Sequence, residues 1–203
     1  MTPPKRLRAP NCFVETDPHF ALARRAMAEF AGTLLLVLVV VGVGPNTWRG
    51  GPTLGVMAEA VGTAGALVGL IIAFGQVSGG HFNPLITLLQ WLSGLRDLPC
   101  TIAYVVAQVA GGIVGAVIAA SMYGELEPRP MTQHFRPGLA LSEFVASFGL
   151  MIIVVGCTRG GRTEAAPFAV GAWLAAAIMA TPSGSYANPA IALARSSLSV
   201  LGH

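Results

Sequence analysis

The chain has 203 residues, of which 54% are hydrophobic and 10% charged, and its mean hydropathy is +0.68. A soluble domain of ordinary make-up carries about 25% charged residues, because most of its surface faces water; this composition excludes a soluble globular enzyme, a disordered chain and a nucleic-acid binder, and points to a polytopic membrane protein. The net charge of +3 then has to be sorted by membrane side before it says anything about partners. Cys12, Cys100 and Cys157 are odd in number and far apart, with no spacing that suggests a disulfide framework or a metal site.

In chain order, residues 1–25 hold charges and prolines without an apolar core, so they read as a cytoplasmic N-terminal tail and not as a signal peptide. A helix needs about 20 residues to cross the hydrocarbon. Five apolar runs approach that length: Ala26 to Gly44, Leu54 to Val77, Leu98 to Ala120, Leu139 to Cys157, and the shorter Pro167 to Ala180. With the N-terminus inside, eight Lys and Arg (Lys5, Arg6, Arg8, Arg24, Arg25, Arg96, Arg159, Arg162) lie on the inner side and four (Arg49, Arg129, Arg136, Arg195) outside, which is the orientation that positive charge favours.

Two segments are apolar but too short to cross. Residues 83–92 follow the second span after a Ser78-Gly79-Gly80 break, and residues 188–199 follow the fifth after Pro182-Ser183-Gly184-Ser185-Tyr186. Each begins with Asn-Pro. Asn is among the best helix N-caps and Pro suits the first helical position, so each Asn-Pro starts a half-helix of about 15 Å. Glu29-Phe30 opens the first span and Glu143-Phe144 the fourth, and each pair leads, two spans on, to an Asn-Pro. Three spans separate corresponding points, so the halves have opposite topology. This is the inverted-repeat pattern, with its site near the bilayer midplane. The first repeat covers residues 26–120, an extracellular loop residues 121–138, and an incomplete second repeat residues 139–203. Two half-helices entering from opposite sides bring their positive dipole ends together, which hinders a cation and leaves a neutral hydroxylated solute unhindered.

The stretches Ser78-Gly79-Gly80-His81-Phe82-Asn83-Pro84-Leu85-Ile86-Thr87 and Ala187-Asn188-Pro189-Ala190, with the two Glu-Phe span openings, resemble the aquaporin and glycerol-facilitator family, the major intrinsic proteins. The resemblance covers about residues 26 to 195. It implies an all-α polytopic bundle of five full spans and two re-entrant half-helices, a homotetramer in the lipid bilayer with one pore per subunit, and passive transport of water or small neutral solutes without a cofactor or metal. Pore contacts fall to Asn83, Pro84, Leu85, Asn188, Pro189 and Ala190. Glu29, Glu143 and His81 support the loops. Leu85 stands where the family has alanine, which puts bulk close to the junction of the half-helices, and Ile191 where it has arginine. The other constriction positions, counted without gaps, are Thr63, Ala176 and Ser185. None is large, aromatic or charged, so the ring is expected to be wide and apolar and to suit glycerol, other polyols, urea or the uncharged hydroxides of arsenic. Bacterial members with Val or Ile at the arginine position are associated with arsenicals, and the resemblance places this chain in a bacterial inner membrane.

Other residues have plainer readings. Glu59 reads as a solvated span end, Arg195 as a vestibule or headgroup residue, and Gly65/Gly69 and Gly111/Gly115 as close helix contacts. Two rival functions stay open: an ion-coupled secondary transporter, which shares the inverted repeats, and an intramembrane enzyme, which lacks a recognisable nucleophile elbow. Fifteen residues after Asn188 leave no room for a sixth span, so the sequence also admits a truncated, non-conducting remnant.

Overall fold

The computed structural model describes residue 13 and residues 20–47, 51–123 and 136–201. Most of the expected N-terminal tail and of the loop between the repeats, together with Cys12, Arg49 and Arg129, lies outside the described residues. Seven helices run in the order α1 (Leu22–Thr47), α2 (Pro52–Ser78), α3 (Pro84–Leu92), α4 (Leu98–Tyr123), α5 (Pro137–Arg159), α6 (Ala166–Ala180) and α7 (Pro189–Leu201). The fold is all helical among the described residues, as the hydropathy pattern implied.

Four of the helices, α1, α2, α4 and α5, are long and apolar enough to cross a membrane. The fifth expected span, α6, has 15 residues, about 22 Å at 1.5 Å per residue. Its ends have local causes. Pro167 sits in its first turn, and Thr181 is forced into extended geometry (φ −111°, ψ 141°) because the following Pro182 excludes the helical region for it. Large apolar side chains such as Val61, Val106 and Phe168 are exposed, which is what a bundle solvated by lipid presents.

Packing follows the repeat. α1 lies along α4 and α2, α5 lies along α6, α2 meets α6 at the centre, and α3 and α7 touch one another between the halves. The tight contact is α1 with α4. A Cβ added at Gly111 or Gly115 would lie 2.3 Å from the carbonyl oxygens of Phe30 and Leu34, so only glycine lets the two backbones meet there. Gly65 and Gly69, expected to do the same, face open space. In chain order the halves correspond, α1 to α5, α2 to α6 and α3 to α7. α4 has no counterpart among the described residues, and the corresponding face of α5, with Phe144 and Phe148 stacked at 5.9 Å, is exposed.

Candidate functional site: the meeting point of two half-helices

Asn83 is extended (φ −151°, ψ 119°) and its Oδ1 accepts from the backbone N–H of Leu85 at 2.9 Å. Asn188 caps α7 in the same way, accepting from the N–H of Ala190 at 3.0 Å. Each side-chain amide then reaches across to the other loop. Asn83 Nδ2 donates to the Ala187 carbonyl at 2.8 Å, and Asn188 Nδ2 donates to the Phe82 carbonyl at 2.8 Å. The backbone that aims those carbonyls repeats as well. Residues three and one before each Asn have positive φ: Gly80 (65°) and Phe82 (47°) in one loop, Ser185 (38°) and Ala187 (43°) in the other. Non-glycine residues at positive φ cost about 1–2 kcal/mol each, so something must hold these loops.

The two glutamates hold them. Glu29 is fully buried. Its Oε1 accepts from Ser78 Oγ (2.6 Å) and the His81 N–H (3.0 Å), and its Oε2 from the Phe82 N–H (2.7 Å) and Gln108 Nε2 (2.8 Å). Glu143 accepts from the N–H groups of Tyr186 (3.1 Å) and Ala187 (3.0 Å), one per oxygen. His81 is buried. Its Nε2 donates to the Phe13 carbonyl at 2.6 Å, and its Nδ1 meets Thr87 Oγ1 at 2.9 Å. The same carbonyl accepts from Gln90, whose Oε1 takes a bond from Arg96 at 3.2 Å. Arg96 also lies 4.3 Å over the Tyr104 ring. Phe13, Gln90, Arg96 and Tyr104 carried no motif signal, since the first three meet only through contacts the fold creates.

A cavity of about 20 Å³ lies at the junction, lined by both asparagines, His81 and apolar side chains including Leu67, Ile86, Leu174 and Ile191. That is room for one water. Leu85, expected to crowd this junction, is half-buried, and its neighbour Ile86 lines the cavity instead. Pro84, Pro189 and Ala190 form the first turns of α3 and α7 behind the asparagines.

Toward the N-terminal end of α2 a second cavity, the neck, shares Leu174, Tyr186 and Ile191 with the first and holds about 10 Å³, at the lower limit for a water. Thr63, Ser185 and Ile191 line it, with Val40, Glu59, Leu174, Ile178 and Tyr186. Ala176 does not: it is exposed on the outer face of α6, and Leu174 and Ile178, a helical turn apart, take the place expected for it. The space here is small, with two branched side chains and one aromatic, Leu174, Ile178 and Tyr186, among its lining residues. Thr63 Oγ1 and Ser185 Oγ are buried there without a hydrogen-bond partner among the described residues. Glu59 and Arg195 pair at 3.8 Å, and the Arg195 guanidinium lies 5.0 Å from the Tyr186 ring centroid. This pair was legible in principle. Glu59 precedes Thr63 by four residues and Arg195 follows Ile191 by four, one turn along the same faces.

Opposed half-helices, reciprocal asparagine amides and the small cavities beside them are the arrangement of a membrane channel with inverted repeats. The sequence comparisons agree with that class. The model of the family described as "Major intrinsic protein" matches residues 17–200, and the chain belongs to that family. It is 44% identical over 181 residues to "Aquaglyceroporin AqpS" of Rhizobium meliloti, covering 87% of this chain and 77% of that protein. It is 32% identical over 169 residues to "Aquaporin Z" of Photorhabdus laumondii, covering 74% and 72%. Among solved structures, the aquaglyceroporin of Plasmodium falciparum superposes with a TM-score of 0.79 at 18% identity, covering 90% of this chain and 83% of that one, which shows a common fold.

Proposed function

We propose that small neutral solutes cross the membrane passively through this chain, along the path from the neck to the asparagine junction. The observation that carries this reading is the exchange between Asn83 and Asn188. A primary amide has two N–H donors; one of each is used by the opposing carbonyl, and the other serves a solute oxygen in the cavity. Two helix N-termini, each equivalent to roughly half a positive charge, face that oxygen, so a cation gains nothing there that replaces its water. The two cavities, of about 10 and 20 Å³, are of the size of single waters as they stand. Glycerol, other polyols and the uncharged hydroxides of arsenic need Leu174, Ile178 or Tyr186 to move, and the unpartnered hydroxyls of Thr63 and Ser185 then give such solutes two hydrogen-bonding partners. The relative bearing the aquaglyceroporin name supports the inclusion of glycerol. The Lys and Arg distribution supports a cytoplasmic N-terminus, hence the Glu59 end of the neck facing outward, and the bacterial relatives support an inner-membrane location. A homotetramer is the assembly proposed for the exposed apolar faces.

The test is osmotic shrinkage and reswelling of proteoliposomes with water, glycerol and arsenite. Permeation linear in solute concentration and indifferent to Na⁺ and pH gradients is expected. Saturation, or a dependence on either ion gradient, would favour a coupled transporter.

A further inference from the structure

Glu59 lines a path for neutral solutes and Arg195 pairs with it, and the passage of neutral molecules in itself requires neither charge. They come from different repeats, α2 and α7. They lie one turn outside Thr63 and Ile191, and both are mostly buried, with side chains 14% and 18% exposed. Glu59 lines the neck directly, beside the two unpartnered hydroxyls, and so does Tyr186. Arg195 is held from two sides, by the Glu59 carboxylate and by the face of Tyr186, an arrangement worth more when desolvated than at an open surface. Tyr186 is itself fixed through its backbone N–H to Glu143.

We propose that the Glu59–Arg195 pair is a specificity element, in which Glu59 accepts a hydrogen bond from a hydroxyl of an entering polyol while Arg195 cancels its charge toward cations. The inference rests on the channel reading above. A carboxylate is a stronger acceptor than a neutral oxygen, and beside two hydroxyls it forms a polar strip matched to a solute with O–H groups along one edge. Alone it would also concentrate cations at the mouth. Arg195, at 3.8 Å, leaves the pair without net charge. Water, with one oxygen, gains less from such a strip than glycerol does.

The experiment compares wild type, Glu59→Gln, Arg195→Met and the double variant in proteoliposomes. It reads the ratio of glycerol to water permeability and the K⁺ leak from dilution potentials. Glu59→Gln is expected to lower the ratio about three- to tenfold, the equivalent of one weakened hydrogen bond, with no gain in K⁺ leak. Arg195→Met is expected to raise the K⁺ leak at least threefold, and adding Glu59→Gln to it should return the leak to the wild-type level. That reversal separates charge cancellation from damage to the fold, because damage would make the double variant leak more than either single one. An unchanged ratio in Glu59→Gln, or a double variant as leaky as Arg195→Met, overturns the proposal while leaving a conducting wild type as a channel. A wild type that passes no solute overturns both.

Discussion

Replacing Glu29 by glutamine changes one oxygen for an NH₂ group inside a fully buried site. Four donors converge on that carboxylate, two on each oxygen: Ser78 Oγ and the His81 N–H on one, the Phe82 N–H and Gln108 Nε2 on the other. Glutamine keeps one acceptor oxygen, so whichever way it turns, two donors lose their partner and face another donor. A buried donor left unsatisfied costs about 1–3 kcal/mol, which gives about 2–6 kcal/mol for Glu29→Gln. The Ser78 hydroxyl can rotate away and lower the figure where it is one of the two. The same change at Glu143, where each oxygen accepts one N–H and the side chain is half-buried, strands one donor, for about 1–3 kcal/mol. Denaturation of the purified protein in mild detergent, followed by tryptophan fluorescence, should show Glu29→Gln lowering stability about twice as much as Glu143→Gln. Equal losses, or a larger loss at Glu143, would refute the view that these carboxylates act by counted acceptor bonds.

Other outcomes follow from the same geometry. Thr63→Val and Ser185→Gly remove hydroxyls that have no partner among the described residues, and the second also relieves a positive φ; both should leave the unfolding free energy unchanged or raise it by up to about 1 kcal/mol, while swelling assays show slower glycerol entry. Gly115→Val drives a side chain into the Leu34 carbonyl and should cost at least the 1–3 kcal/mol typical of overpacking, measurable by the same detergent denaturation. Asn188→Asp substitutes an acceptor for the donor to the Phe82 carbonyl. It should lose about 1–3 kcal/mol and admit K⁺ in dilution-potential measurements, since a carboxylate then sits where two helix N-termini kept cations out.

How much was legible in the sequence depends on whether a residue's neighbours were local. The Asn-Pro caps and the glutamates that serve them were legible because capping chemistry is set within three residues and because the motif occurs twice. Ala176 was misplaced because it sits in a run of small residues, 175–177, that carries no face of its own. Only the packing of α6 against α2 decides that Leu174 and Ile178 point inward. Gly65 and Gly69 matched the spacing of a helix contact but have no helix opposite them among the described residues, whereas Gly111 and Gly115 do. The end of α6 at Ala180 was legible, because Pro182 keeps the residue before it out of the helical region. Phe13 could not have been found by any pattern, since its carbonyl meets donors 68 and 77 residues away.

The two bonds that close the junction join residues 104 and 106 positions apart, and this sets an order in time. At a synthesis rate of about 5–20 residues per second, Asn83 and the Phe82 carbonyl wait roughly 5–20 s for their partners. During that interval the first loop is kept in shape by bonds available from the start, because Glu29, Ser78, Thr87 and Gln108 all belong to the first repeat. The fuller set of bonds at Glu29 than at Glu143 has a temporal meaning on this view. The half made first must stand as a template, and the half made second need only be captured by it.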